Sequence, residues 1–199
     1  IISNGISKWC GAGGWRLGTF VFPEELAHLQ EAMAVVASET FTSTSAPIQY
    51  AAIRAFENGP EVQSYVQAGR RVLEQVAGAV GSRLKAMGIE VAAAEGGFYV
   101  FPGFEPFRDA LAKRGITTGE ELCSQLLEET GVALLPGRDF GRAPSELTAR
   151  LAFVDFDGAA ALEKVGLYAD GAQLPTDFAR VVAPNVIEAM DALESWLPR

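Results

Sequence analysis

Histidine and cysteine are the scarcest chemically reactive residues of this 199-residue sequence. It has one histidine, His28, and two cysteines, Cys10 and Cys123, which lie far apart and form no Cys-x-x-Cys pair. Structural and catalytic zinc sites are built from closely spaced cysteine and histidine ligands. No metal site is therefore expected.

Positive charge is also in short supply. The 16 lysines and arginines are outnumbered by 25 aspartates and glutamates, which gives a formal net charge of -9 and no basic run. Affinity for nucleic acid depends largely on lysine and arginine side chains that neutralise phosphates. We therefore expect no nucleic-acid partner.

Long apolar runs are missing as well. No stretch approaches the roughly 20 apolar residues that a membrane helix needs, and the sequence does not open on the basic segment and cleavage signature of a secretory signal. The sequence thus predicts no membrane partner, and the cytoplasm is the default location. The hydrophobic content of 49% and the charged content of 21% are those of an ordinary globular protein.

The most informative stretch runs from Gly5 to Gly18 and sets Lys8 and Arg16 among glycines. Its flanks predict a strand, a glycine-rich loop and a second strand, with Ile6 extended and Lys8 at the strand end. A desolvated lysine can form a Schiff base with an aldehyde cofactor, and an arginine fork suits phosphate. The pair suggests pyridoxal phosphate, although a surface lysine and an ion-paired arginine would fit the spacing equally well.

The motif as a whole resembles that of a known family. The residues Gly5-Ile6-Ser7-Lys8, Gly11-Ala12 and Gly14-Trp15-Arg16-Leu17-Gly18 are similar to the lysine-attachment motif of class I/II (fold-type I) pyridoxal-phosphate aminotransferases. The resemblance implies that Lys8 is the catalytic lysine that binds the cofactor, that Arg16 holds its phosphate and that Ser7 lies beside it. Many members have serine where this chain has Gly5, so one phosphate hydroxyl is missing.

Two later segments extend the resemblance. Residues 96–102 resemble a glycine-aromatic segment of the family whose turn borders the substrate, with Gly97 in place of the usual alanine. Residues 148–155 predict a strand with Arg150 and Ala152 on one face. This stretch alone would favour a structural salt bridge for Arg150, whereas the family resemblance implies that Arg150 binds the substrate's α-carboxylate.

The resemblance also implies the fold class, which is α/β. The chain would be the C-terminal part of a fold-type I aminotransferase: the end of the large-domain sheet, a long linking helix and a small α+β domain. We place the large-domain part at residues 1–75 and the small domain at residues 76–199. The family's chains are about twice as long, and we expect a C-terminal half that is inactive alone.

Apolar spacing predicts several individual elements. A helix should start at Pro23-Glu24-Glu25-Leu26 and bury a stripe of Leu26, Leu29, Met33 and Val36, and residues 61–87 should form a long amphipathic helix. Residues 89–93 should form a strand, residues 118–129 a capped helix, and residues 176–196 a helix.

The function that the resemblance implies is amino-group exchange between an amino acid and a 2-oxo acid with pyridoxal 5'-phosphate as cofactor. The intact protein is expected to be a homodimer, with the loop at residues 40–47 near the interface. Two alternatives stay open. The same motifs fit a pyridoxal-phosphate-dependent lyase or synthase, and they fit the aminotransferase-like effector-binding domain of a transcription regulator.

Overall fold

The computed structural model describes residues 1–198. The chain divides into two compact units, Ile1–Gln67 and a second unit that begins at Ala68. The division falls within one long helix. The predicted domain limits of 1–75 and 76–199 stay a prediction.

The first unit opens on a β-hairpin. Strand β1 (Ile2–Gly5) pairs antiparallel with β2 (Gly18–Val21), from Ile2 opposite Val21 to Gly5 opposite Gly18. The predicted strand, loop, strand order is confirmed, but the expectation that Ile6 is extended is wrong. Ile6 begins the short helix α1 (Ile6–Trp9), because its side chain is buried with those of Ala12 and Leu17 and its carbonyl accepts a hydrogen bond from the Ala12 amide.

Helices follow the hairpin: α2 (Ala27–Thr40) and α3 (Ala46–Phe56), the latter with Pro47 in its first turn. The prediction of a buried stripe on α2 is wrong for the described residues. The side chains of Met33 and Val36 are 37% and 61% exposed, since no described element covers that face of the helix. Helical spacing predicts which residues share a face, and burial depends on what packs against that face.

The long helix is confirmed as α4 (Pro60–Ala86), with Gly88 in the left-handed conformation just past its end. Its buried side chains recur every four residues and join the core of the second unit: Val72, Val76, Val80 and Leu84.

A small antiparallel sheet lies in the second unit. Its strands are β3 (Tyr99–Val100), β4 (Leu135–Pro136) and β5 (Ala149–Ala152), in the order β3-β5-β4. The strand predicted at residues 89–93 is wrong, since only Glu90 forms a single bridge there, to Gly103.

The second unit also contains several further helices. They are α5 (Arg108–Ala112), α6 (Gly119–Thr130), α7 (Gly158–Val165), α8 (Phe178–Val182) and α9 (Pro184–Trp196). The helix predicted over residues 176–196 is two helices, because Pro184 disfavours helical backbone at Ala183. The predicted capping box of α6 is present, and hydrogen bonds from Thr117 hold the pKa of the Glu121 carboxyl below its ordinary value.

Candidate functional site

The connection between β1 and β2 carries Ser7, Lys8 and Arg16. Because Gly5 pairs with Gly18, residues 6–17 all lie at one end of the hairpin. Ser7 is half-buried in α1, whereas the side chains of Lys8 and Arg16 are exposed. Lys8 therefore lies on a helical turn directly after β1 and not on the strand end that the sequence suggests. An amine, a hydroxyl and a guanidinium share this one connection.

Arg16 has an unusual backbone. Its φ of 54° and ψ of 48° are left-handed, a conformation that disfavours bulky side chains by about 1–2 kcal/mol. The guanidinium donates a hydrogen bond to the Gly13 carbonyl at 2.9 Å and forms no ion pair with Asp or Glu of the described residues. Such backbone strain is concentrated at ligand sites.

The charge of the hairpin segment itself favours an anion. The first 23 residues contain Lys8 and Arg16 but neither aspartate nor glutamate, in a chain of net charge -9. A side chain added at Gly14 would meet open space. The indole Nε1 of Trp9 is buried and has no hydrogen-bond partner within residues 1–198. This donor set fits pyridoxal phosphate, with an amine for its aldehyde and cationic and hydroxyl donors for its phosphate.

Arg150 lies on the open face of the sheet in the second unit. Ala149 and Leu151 point into the core, whereas Arg150 is half-buried and Ala152 is exposed, as the alternation predicts. Arg150 makes no ion pair with a carboxylate of the described part of the chain. The structural salt bridge considered from the sequence is therefore not observed.

Two aromatic rings contact the Arg150 guanidinium. Its Cζ atom lies 4.4 Å from the ring centroid of Tyr99 and 4.5 Å from that of Phe140. Phe101 meets Phe140 edge-on, with centroids 5.9 Å apart and an interplanar angle of 89°. The sequence singled out neither Tyr99 nor Phe140 as a site residue. The sequence alternation placed Arg150 and Ala152 on one face, but only the structure shows that Tyr99 lies opposite Ala152.

Gly97 lies two residues before β3 in the same unit as Arg150. Its φ is +70°, a left-handed conformation that explains glycine here, and it lines a groove of about 810 Å³ between α4 and residues 92–97. The structure thus places Ser7, Lys8 and Arg16 in the first unit, and Gly97 and Arg150 in the second.

Replacing Gly97 by alanine is expected to lower the free energy of unfolding by about 1 kcal/mol, because an alanine in the left-handed region is strained. Gly96→Ala is the matched control, since Gly96 has no positive φ and no atom within 4 Å of an added Cβ. Urea unfolding followed by circular dichroism measures both. Equal stability of the two variants would contradict the backbone argument.

Tight glycine packing fixes the start of β5. The Gly137 amide donates to the Thr148 carbonyl at 2.8 Å, and a Cβ at Gly137 would overlap Thr148 Oγ1. A Cβ at Gly119 would lie 2.9 Å from the Thr148 carbonyl oxygen and 3.0 Å from that of Glu146. These close approaches hold α6 and the turn at residues 137–140 beside the strand that carries Arg150.

Solved structures share this fold over almost the whole chain. An aromatic aminotransferase from Pyrococcus horikoshii OT3 is 26% identical, with a TM-score of 0.70 over 97% of this chain and 41% of that one. An aspartate aminotransferase from Thermotoga maritima is also 26% identical, with a TM-score of 0.60 over 98% of this chain and 39% of that one. The fold is thus that of the corresponding part of fold-type I aminotransferases.

Sequence comparisons agree. Residues 1–155 match the family model "Aminotransferase class I and II". An aspartate aminotransferase of Geobacillus stearothermophilus and an asparagine–oxo-acid transaminase of Streptococcus mutans are each 36% identical over 142 residues, which is 71% of this chain. The chain belongs to the class I and II aminotransferase family.

The match covers only part of these relatives. The chain spans about a third of their length, at 34% in both cases. Among residues 1–198, no helix combines the length and the apolarity required to cross a membrane.

Proposed function

We propose that this chain is the part of a pyridoxal-phosphate-dependent aminotransferase that supplies the cofactor lysine and the substrate arginine. The reaction is exchange of an amino group between an amino acid and a 2-oxo acid. The observation that carries the proposal is the hairpin connection, where Ser7, Lys8 and Arg16 lie together in a segment without acidic residues.

Each residue has a distinct task in this proposal. Arg16 and Ser7 would donate hydrogen bonds to the phosphate, while the Lys8 amine would hold the cofactor and take up the proton that leaves the substrate's Cα. Arg150 binds the substrate carboxylate through two parallel hydrogen bonds. The cofactor, when bound, supplies the electron sink that makes the Cα proton acidic. Gly97 borders the substrate without adding a side chain.

We also propose that the complete protein is a homodimer. Exposed apolar side chains of the first unit support this, since monomeric proteins rarely expose many of them together. They include Val35, Val36, Phe41, Tyr50 and Ile53.

Cytoplasmic location is part of the same proposal. Both cysteines are free, as expected in a reducing compartment. Burial, with a smaller contribution from Asp139, raises the pKa of the Cys123 thiol to about 12, so this thiol stays protonated and unreactive.

The direct test is reduction of the complex with pyridoxal phosphate by borohydride, followed by peptide mass spectrometry. The proposal expects one adduct, on Lys8. The other lysines, Lys85, Lys113 and Lys164, act as internal controls. Equal labelling of all four lysines would contradict a cofactor site at Lys8.

Product analysis of the complete protein separates the remaining alternatives. An aminotransferase yields a 2-oxo acid and leaves the amino group on the cofactor, whereas a lyase releases ammonia. Labelling at Lys8 without turnover of any amino donor would favour an effector-binding domain. We expect no turnover from the 199-residue chain alone.

A further inference from the structure

We propose that Tyr99 and Phe140 form an aromatic clamp that positions the Arg150 guanidinium for the substrate carboxylate. This inference rests on the proposed function, because it names the residues that position its carboxylate-binding group. The observation behind it is the pair of ring contacts at 4.4 Å and 4.5 Å from Arg150 Cζ.

An arginine on an open sheet face needs something to hold it in one place. Its long side chain has several rotatable bonds, and ordering them costs about 2 kcal/mol. The other arginines of the second unit that are held in place use carboxylates or carbonyls: Arg71, Arg83, Arg108, Arg114, Arg138 and Arg142. Arg114 has a ring contact with Trp196 in addition to its carboxylate. Arg150 has no such partner in the described part of the chain.

Ring contacts hold a guanidinium differently from carboxylates. A ring face attracts the positive charge of the guanidinium, and it supplies no carboxylate or carbonyl oxygen to accept the N–H donors. A protein carboxylate at Arg150 would occupy the donors that a substrate needs. Contact with ring faces orders the side chain and leaves those donors available for a bidentate carboxylate.

Separate elements fix the two rings. Tyr99 is set by β3, whose next residue, Val100, is buried, and by pairing with Ala152 on β5. Phe140 is set by the turn at residues 137–140, which is held by the amide of Gly137 on Thr148 and by an ion pair between Arg138 and Glu120.

The exposure of the rings argues against a core-packing role. Tyr99 is 36% exposed and Phe140 is 41% exposed, so neither ring fills an interior space. Their shared neighbour is the charged group of Arg150. The structure therefore assigns these rings to the arginine rather than to the core.

The clamp itself is tested in the 199-residue chain by nuclear magnetic resonance of the Arg150 side chain. In the Tyr99→Leu/Phe140→Leu variant we expect loss of the ring-current shifts of its Cδ protons and rotation of the guanidinium that is faster by about tenfold. Tyr99→Phe keeps the ring and should keep the shift from that ring. Unchanged Arg150 signals in the double leucine variant would overturn the clamp, whatever reaction the protein catalyses.

The positioning role is tested by steady-state kinetics of the complete protein. Loss of both rings should raise KM for the amino acid and for the 2-oxo acid by about tenfold, with a smaller change in kcat, because carboxylate binding is what weakens. Tyr99→Phe should restore most of the contribution of Tyr99. Leu135→Ala is the control. Leu135 lies opposite Arg150 on β4 but is not aromatic, so both KM values should stay unchanged in this variant.

The outcomes distinguish this inference from the proposed function. Normal KM values in a variant whose Arg150 signals show a lost clamp would overturn the positioning role while leaving aminotransferase activity intact. If the complete protein turned over no amino donor, the proposed function would be contradicted. The nuclear magnetic resonance experiment on the 199-residue chain would still decide whether the clamp exists. A fall in kcat alone, with KM unchanged, would also overturn the positioning role.

Discussion

Replacing Lys8 by alanine should abolish the borohydride-stable cofactor adduct and lower transaminase activity of the complete protein by at least about 10⁴-fold. That figure is the upper end of what one positioned proton-transfer group contributes, and Lys8 would also hold the cofactor. Lys8 is the lysine of the hairpin connection that also carries Ser7 and Arg16, whereas Lys85, Lys113 and Lys164 lie outside that connection. Peptide mapping and initial rates measure the two effects.

Two variants separate chemistry from charge at this position. Lys8→Arg keeps the positive charge but lacks a nucleophilic amine, so it should be as inactive as Lys8→Ala while still attracting the phosphate. Lys113→Ala removes an exposed lysine of the second unit and should leave the adduct and the rates unchanged. Substantial activity in Lys8→Arg would refute the role of the Lys8 amine.

Gly119→Ala should lower the stability of the second unit by about 3 kcal/mol, the upper end of the range for overpacking. The new Cβ would lie 2.9 Å from the Thr148 carbonyl oxygen and 3.0 Å from the Glu146 carbonyl oxygen, and backbone atoms yield less than a flexible side chain. For a chain of this size, the thermal midpoint should fall by about 10 °C. Thermal unfolding followed by circular dichroism measures it.

Gly158 provides a closely matched control. It is the first residue of α7 after the capping residue Asp157, just as Gly119 is the first residue of α6 after Thr118. A Cβ at Gly158 would have no atom within 4 Å, so Gly158→Ala should be neutral or stabilising by up to about 1 kcal/mol. A loss of stability in both variants would show that helix starts, and not the carbonyls at 146 and 148, disfavour alanine.

Local patterns predicted the fold where the information is local. The capping box of α6, the spacing of Val72 to Leu84 on α4 and the alternation around Arg150 were all confirmed. Predictions that depend on distant partners were less accurate. The strand at residues 89–93 lacks a ladder partner beyond Gly103, and Met33 on α2 has nothing described to cover it.

In the candidate site, too, features set by nearby residues could be predicted and features set by distant residues could not. The lysine motif could be recognised because its residues lie within residues 5–18, and the hairpin register explains why they share one end. The clamp could not be found from sequence, since Phe140 reaches Arg150 from a turn ten positions earlier in the chain. Likewise, the close approach of Gly119 to Thr148 joins residues whose spacing carries no pattern.

The acid-free hairpin has a consequence for kinetics. Lys8 and Arg16 give the hairpin segment a positive charge on a chain of net charge -9. A phosphate that approaches from solvent is therefore repelled by the net negative charge of the chain and attracted by Lys8 and Arg16. Mobile ions weaken both effects, over a Debye length of about 10 Å at 0.1 M salt. The long-range repulsion is therefore screened before the short-range attraction. Association of a phosphorylated ligand should accelerate as salt rises from very low concentration, and should then slow once the attraction within the hairpin is screened as well.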